Sequence, residues 1–255
     1  MSITSEMKTA NHAVVSPDRW LAERKKLLAH ERELTHLRDQ IARERRALPW
    51  VRLDKNYVFD TSEGPRTLAD LFEGRHQLIV QHFMFGPGWE QGCPSCSYMA
   101  DHSDGMTVHL AHRDTSFVAI SRAPLPEIQR FRQRMGWRFK WVSSNANDFN
   151  FDFGVSFTPE QEARNEVTYN YAKQPFECEE MPGISVFYRN EAGAVFHNYS
   201  SYRRGVEAMM GTYNLLDLTP EGRGERDVPN KMEWVRHHDR YGPQPAAKAA
   251  GSCCE

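Results

Sequence analysis

The chain has 255 residues, with 32 Lys and Arg against 34 Asp and Glu and a formal net charge of −2. So close a balance excludes a global electrostatic pull toward nucleic acid or an anionic membrane, and no apolar run approaches the roughly 20 residues that span a bilayer. Residues 1–15 lack the apolar core of an export signal and the five cysteines are an odd number, so the chain reads as cytoplasmic, with any close cysteine pair serving catalysis or metal binding rather than structure.

Ser16-Pro17-Asp18 predicts a helix start, with Ser16 as N-cap, Pro17 at the first helical position and Asp18 near the positive end of the dipole. Trp20, Leu27, Leu34, Ile41 and Leu48 then recur every seven residues, with Leu21, Leu28 and Leu37 widening the stripe, until Pro49 stops the run. Residues 1–48 therefore form a helical arm with no core of its own, expected to bury its stripe against the body or in a homodimer. Its Lys and Arg are interleaved with Glu and Asp, which fits a solvated face better than a nucleic-acid surface. Trp50 to Asp54 and Tyr57 to Asp60 read as a hairpin turning at Lys55-Asn56. Thr67 to Phe72 predicts a short helix, and Gln77 to Phe85, apolar on both faces, a central strand.

Helix follows from Ser97 to Leu110 with an interruption at Gly105, then a buried strand from Thr115 to Ser121, a helix from Pro124 to Met135 and a strand from Arg138 to Val142. Thr158-Pro159-Glu160 starts a helix carried to Tyr171, in an insertion or lid that begins with the aromatic turn Phe149 to Gly154. Ile184 to Arg189 and Ala194 to Tyr199 form a hairpin about Asn190-Glu191-Ala192-Gly193, and a last helix runs from Tyr202 to Leu216. This alternation predicts an α/β domain at 49–220 with a mixed sheet flanked by helices, followed by an extension and flexible tail at 221–255.

The chemistry concentrates at Gly92-Cys93-Pro94-Ser95-Cys96. With Cys93 as N-cap, Pro94 falls at the first helical position, and both thiols come within reach of the free N–H groups of a helix N-terminus. Such placement lowers a thiol pKa from about 8.5 into the range of about 3.5 to 7.5. Cys93 would then attack a disulfide, and Cys96, one turn inward, would resolve the mixed disulfide. Two cysteines so spaced can also be half of a zinc site, although there is no second Cys-x-x-Cys, or can simply pack. The dithiol chemistry needs no cofactor and no metal.

The strand-helix order with the cysteines at a strand-to-helix junction resembles the thioredoxin-like fold. More narrowly, His82-Phe83-Met84-Phe85-Gly86-Pro87, Gly92 to Ser97, Val118-Ala119-Ile120-Ser121-Arg122-Ala123-Pro124, Met135-Gly136-Trp137, Gly183-Ile184-Ser185-Val186-Phe187-Tyr188 and Trp234-Val235-Arg236-His237-His238 resemble a bacterial family of unknown function described as predicted dithiol-disulfide oxidoreductases. The resemblance implies a protein or small-molecule disulfide as substrate, met on a docking surface shaped by Trp89, Pro94 and Ser185. Ser185 stands where thioredoxin has a cis-proline, with Pro182 three residues early. Gln81 and His82 stand where thioredoxin keeps a buried aspartate, which makes His82 a candidate proton acceptor for Cys96; a core histidine is the blander account. The peroxiredoxin pattern Pro-x-x-x-Thr-x-x-Cys is not met, because Gln91 follows Pro87 by four residues and Cys93 comes one residue early. Peroxide reduction is the alternative this leaves.

A metal-binding module without catalysis, holding zinc or copper, is the rival of a different class. His102, His109 and His112 invite it, with His109 and His112 one helical turn apart, whereas Asp101, Asp104 and Gly105 suggest only a polar helix end. His237-His238 reads as a polar surface cluster, and Phe149, Phe151, Phe153 and Phe157 as core or as the wall of a pocket by the dithiol. Cys253 and Cys254 end a stretch of ten small residues spanning roughly 15 to 20 Å, which makes them candidate relay thiols. Cys178, among Glu177, Glu179 and Glu180, is expected to be a poor thiolate because neighbouring negative charge disfavours its ionisation.

Overall fold

The computed structural model describes residues 8–9, 12–164, 166–175, 178–226, 229 and 231–242. The chain divides into two compact units, Met1–Pro49 and Trp50–Glu255. The first is dominated by helix α1 (Pro17–Ala47), 31 residues long. Ser16 caps it as its residue type suggests: it is extended at φ −66°, ψ 154°, and its side chain accepts from the Arg19 N–H at 3.3 Å. Leu48 leaves the helix at ψ 140°, the extended conformation that a following proline imposes. Ion pairs Arg24–Glu31 and Lys26–Glu23 dress its polar surface. No residue of the helix is buried, and Trp20, Leu27, Leu34 and Leu37 stand exposed. Among the described residues no helix is long and apolar enough to cross a membrane.

The second unit is built on a six-stranded sheet of β1 (Val51–Arg52), β2 (Gln77–His82), β3 (Thr115–Ser121), β4 (Lys140–Ser143), β5 (Gly183–Arg189) and β6 (Val195–Tyr202). Its spatial order is β1-β6-β5-β2-β3-β4. The pairs β2–β3 and β3–β4 are parallel, and the other three are antiparallel. Parallel neighbours need crossovers, which here carry α2 (Pro94–Asp101) and α3 (Thr107–Ala111) between β2 and β3, and α4 (Leu125–Arg134) between β3 and β4.

β2 and β3 lie inside the sheet, each with a neighbour on both sides, because they are apolar on both faces. Leu78, Val80, Val118 and Ile120 enter one core with Phe59, Phe72, Phe149 and Phe187. Their alternates Phe117 and Ala119 enter the other with Phe83, Phe131, Trp137, Trp141 and Cys96, as a period of two requires. A third cluster packs Tyr98 and Met99 of α2 against Val206, Tyr213 and Val235. Val235 and Asp239 of the extension are thus held on the domain; the expected flexible stretch 243–252 lies outside the described residues.

Several elements differ from expectation. Lys55-Asn56 is not a hairpin turn: β1 pairs with β6, whereas Val58–Phe59 pairs with Arg66–Thr67. The turn lies between Thr61 and Gly64, where the Thr61 hydroxyl accepts from the Glu63 N–H and Gly64 takes φ +97°. The helix expected to reach Tyr171 ends at Ala163 as α6 (Pro159–Ala163), after the single turn α5 (Phe149–Asp152). Asn170 and Tyr171, at φ +53° and +65°, then turn a short hairpin of Thr168–Tyr169 with Ala172–Lys173. The last helix is a 3₁₀ stretch, Arg203–Met209, followed by α7 (Gly211–Leu216). Gly205 and Gly211 weaken a continuous α-helix there.

Candidate active site

β2 delivers its chain end into a loop that turns back on itself. The Cys93 N–H donates to the Met84 carbonyl at 3.0 Å, and α2 begins at Pro94. Cys93 is the N-cap, at φ −57° and ψ 131°, and its carbonyl accepts from the Ser97 N–H and hydroxyl, both at 2.9 Å. Pro94 therefore occupies a position whose N–H is not needed, and it is exposed. Both cysteines are free thiols, Cys93 partly exposed and Cys96 only 1 % exposed. The Cys96 sulfur accepts from the Met84 N–H at 3.5 Å, and Gln81 Nε2 donates to the Cys96 carbonyl at 3.2 Å. The residue before the pair must be glycine, since a Cβ on Gly92 would sit 2.6 Å from Phe83 Cε1 and 2.9 Å from Phe131 Cε1.

The two thiols ionise very differently. Cys93 is lowered to about 7, first by the neighbouring Cys96 thiol and then by the N–H groups of Cys96 and Ser95 and the Ser95 hydroxyl, which together outweigh burial. Cys96 is pushed well above the ordinary thiol range by the neighbouring Cys93 sulfur, by burial and by the charges of Cys93 and Glu180. An anion is therefore favoured on the sulfur of half-buried Cys93 and disfavoured on that of buried Cys96.

Glu180, a residue sequence reasoning did not single out, is 1 % exposed and accepts from Arg122 Nη1 at 2.8 Å and from the Ser156 hydroxyl at 2.7 Å. Burial raises it to about 7 against those two partners. Its neighbour Glu179 accepts from Trp89 Nε1 at 2.6 Å, which ties the Cys178–Glu180 segment to the loop ahead of the dithiol. His237, expected at the surface, is the second such residue. It is 3 % exposed, its Nε2 donates to the Gly92 carbonyl at 2.8 Å, and its ring meets Phe131 edge-on at 5.2 Å. The signal available in the sequence was its apolar neighbour Val235.

His82 and Ser185 are bonded to each other rather than to the thiols. His82 Nε2 bonds the Ser185 hydroxyl at 2.8 Å, Ser185 bonds Ser200 at 2.7 Å, and His197 Nε2 bonds Ser200 at 2.8 Å. This polar chain crosses β2, β5 and β6. Phe149 and Phe153 stack on the His82 ring at 5.6 and 5.9 Å, and its Nδ1 has no partner among the described residues. Burial and, next, His197 push His82 down to about 3, so its imidazole is a poor proton acceptor. Ser185 is fully buried in the sheet and offers no docking surface, and no peptide bond among the described residues is cis. Trp89 is half-buried at the loop, where docking was expected.

The histidines expected to bind metal are dispersed. His102 is held between the Tyr98 carbonyl at 2.7 Å and Thr212, whereas His109 and His112 are exposed. His238 pairs with Asp101 at 2.7 Å, and Asp104 with Arg138 at 2.9 Å. Among the described residues no three His, Cys, Asp or Glu side chains converge on a metal-sized site. Phe149 and Phe153 are core, Phe157 packs near Tyr169 and Tyr202, and Phe151 lies under the Arg122 guanidinium at 4.5 Å. Cys253 and Cys254 lie outside the described residues.

A parallel β2-α2-β3 unit, an antiparallel β5–β6 hairpin beside β2 and a free Cys-x-x-Cys opening α2 define a thioredoxin-like α/β protein with a dithiol at its strand-to-helix junction. Residues 9–241 match the family model described as "Bacterial protein of unknown function (DUF899)", and the chain belongs to that family. No curated protein matches its sequence. Among solved structures it is similar to peroxidoxin BcpB from Mycobacterium tuberculosis, with 15% identity, 65% of this chain and 92% of that one covered, and a TM-score of 0.43. It is also similar to a cysteine mutant of Xylella fastidiosa PrxQ, with 11% identity, 65% and 94% coverage and a TM-score of 0.42. A mutant of Xanthomonas campestris peroxiredoxin Q follows, with 14% identity, 62% and 90% coverage and a TM-score of 0.39.

Proposed function

We propose that this protein is a thiol-disulfide oxidoreductase in which Cys93 attacks and Cys96 resolves. The observation that carries the reading is the division of labour at the α2 N-terminus: a partly exposed thiol lowered to about 7 beside a buried thiol that is held protonated. The Cys93 thiolate attacks one sulfur of a substrate disulfide. A Cys93–substrate bond forms, the substrate S–S bond breaks, and the first substrate thiolate leaves and takes up a proton. Cys96 then loses its proton and attacks the Cys93 sulfur, releasing the second substrate thiol. The protein is left with a Cys93–Cys96 disulfide, oxidised by the two electrons that reduced the substrate.

Helix geometry favours this order, since Cys93 caps α2 whereas Cys96 lies inward under Met84. Glu180 acts on the second step through its charge, which helps keep Cys96 protonated until the mixed disulfide has formed. The test is insulin reduction with dithiothreitol as terminal reductant. Cys93→Ser loses turnover, and Cys96→Ser accumulates a mixed disulfide visible by mass spectrometry. Wild-type turnover in both variants contradicts the assignment.

A further inference from the structure

Beside the dithiol loop lies a cavity of about 260 Å³, between residues 88–90 and α4. Phe85, Trp89 and Phe131 supply its apolar wall, and Glu90, Glu127 and Arg130 its charge. Arg134 completes it but is committed, holding Asp239 at 2.8 Å and Gln91 at 3.1 Å. Phe85, Trp89 and Phe131 belong to the same apolar cluster as Cys93 and Cys96, and Gly92 packs on the Phe131 ring. The cavity thus shares its apolar wall with the cluster that holds the nucleophile, while neither cysteine lines it.

Its charges are unspent. Glu127 and Arg130 are three residues apart on α4 and share a face, a spacing that normally lets such residues pair. Yet neither has an ion-pair partner among the described residues, and Glu127 Oε2 is shielded from solvent with no hydrogen-bond donor. The Glu127 carboxylate is thus left without a counter-charge, and a ligand ammonium meeting its other, open oxygen would supply one. The opposite charge needed for a ligand carboxylate is Arg130, whose fork suits that group. The volume falls just below the roughly 300 to 1,000 Å³ of pockets that enclose drug-sized ligands, which suits an amino-acid-sized end rather than a large molecule.

We propose that this cavity binds the amino-acid end of a small zwitterionic disulfide, such as cystine, with Arg130 pairing its α-carboxylate and Glu127 its α-ammonium while the sulfurs meet Cys93. This rests on the exchange reading and names its substrate class. Cys93 takes one half of the disulfide as a mixed disulfide and releases the other as a thiol; Cys96 releases the second half. Each turnover reduces one disulfide to two thiols, and a dithiol such as dithiothreitol reduces the protein again.

Two measurements separate the cavity from the chemistry. The first is calorimetric titration of the full chain with S-methylcysteine, an unreactive half-cystine. Binding at one site, weakened at least tenfold in Arg130→Gln and partly restored in Arg130→Lys, is expected. An absence of binding, or binding indifferent to Arg130→Gln, overturns the cavity assignment whether or not exchange occurs. The second compares single-turnover oxidation of the reduced protein by cystine, by cystamine, which lacks the carboxylates, and by neutral hydroxyethyl disulfide. Cystine is expected to react fastest, with its advantage over hydroxyethyl disulfide falling at least tenfold in Arg130→Gln. Equal rates for the three disulfides overturn the substrate class while leaving the exchange reading intact. Binding of S-methylcysteine without oxidation by any of them overturns the exchange reading and, with it, the assignment of this substrate.

Discussion

Strand β2 ends beside two arrangements of chemically capable side chains, the Cys93–Cys96 pair and the His82–Ser185–Ser200–His197 chain, and they have opposite characters. At the dithiol, Cys93 stands half-buried at a helix start beside the Cys96 thiol and the N–H groups of Ser95 and Cys96, and the anion is favoured. At His82 the ring is enclosed by phenylalanines and the neutral form is favoured. Histidine is ordinarily the group that titrates near neutrality and cysteine the one that does not; here the order is reversed. Access to unsatisfied donors and to water, not residue type, decides which of the two can work as an acid-base or nucleophilic group.

The comparison breaks most visibly at Cys93. Replacing it by serine is expected to lower disulfide exchange by about a hundredfold or more, whereas His82→Gln leaves exchange at the wild-type rate; a comparable loss in His82→Gln would make the buried chain part of the chemistry. The His82 side of the contrast is a stability effect. In the unfolded chain the ring titrates near 6.5, but folded it is held down to about 3. Below about 6.5 the unfolded chain takes up a proton that the folded chain refuses. Its contribution to stability is therefore complete above that pH and falls by about 1.4 kcal/mol per unit on acidification. Urea denaturation at pH 6.5 and pH 5 should show wild type losing about 1.6 kcal/mol more than His82→Gln over that interval. Parallel losses would mean that His82 is not held neutral.

The smallest effect sharpens the dithiol itself. Glu180 raises Cys96 through its negative charge, so Glu180→Gln should lower the pH at which Cys96 is alkylated in a Cys93→Ser background. The difference should be largest above pH 7, where Glu180 is ionised. An unchanged profile would remove Glu180 from the account.

Much of the site was legible because it is local. Ser16-Pro17 and Cys93-Pro94 both announce helix starts, and the structure places Ser16 and Cys93 as N-caps. The alternation in β2 and β3 likewise reveals two covered sheet faces, since period and chain order are sequence properties. What escaped was set by contacts distant in sequence. Glu180 meets Arg122 across 58 residues and His237 meets Gly92 across 145; nothing local marks Glu180 as buried, and apolar Val235 is the one local sign for His237. Ser185 failed as a docking residue for the same reason: its place in the motif is readable, but its bonds to His82 and Ser200 are made across strands. The misplaced turn at Lys55-Asn56 reflects the choice of strand partner, which short runs such as Val51–Arg52 do not specify.

The central claim is that Cys93 carries a stabilised thiolate at the head of α2. It is tested most directly by following thiolate ultraviolet absorbance against pH in the reduced protein. A titration with its midpoint near 7 that disappears in Cys93→Ser is the predicted result. A first midpoint at the ordinary value of about 8.5 or above, or a neutral titration that survives Cys93→Ser, would contradict it.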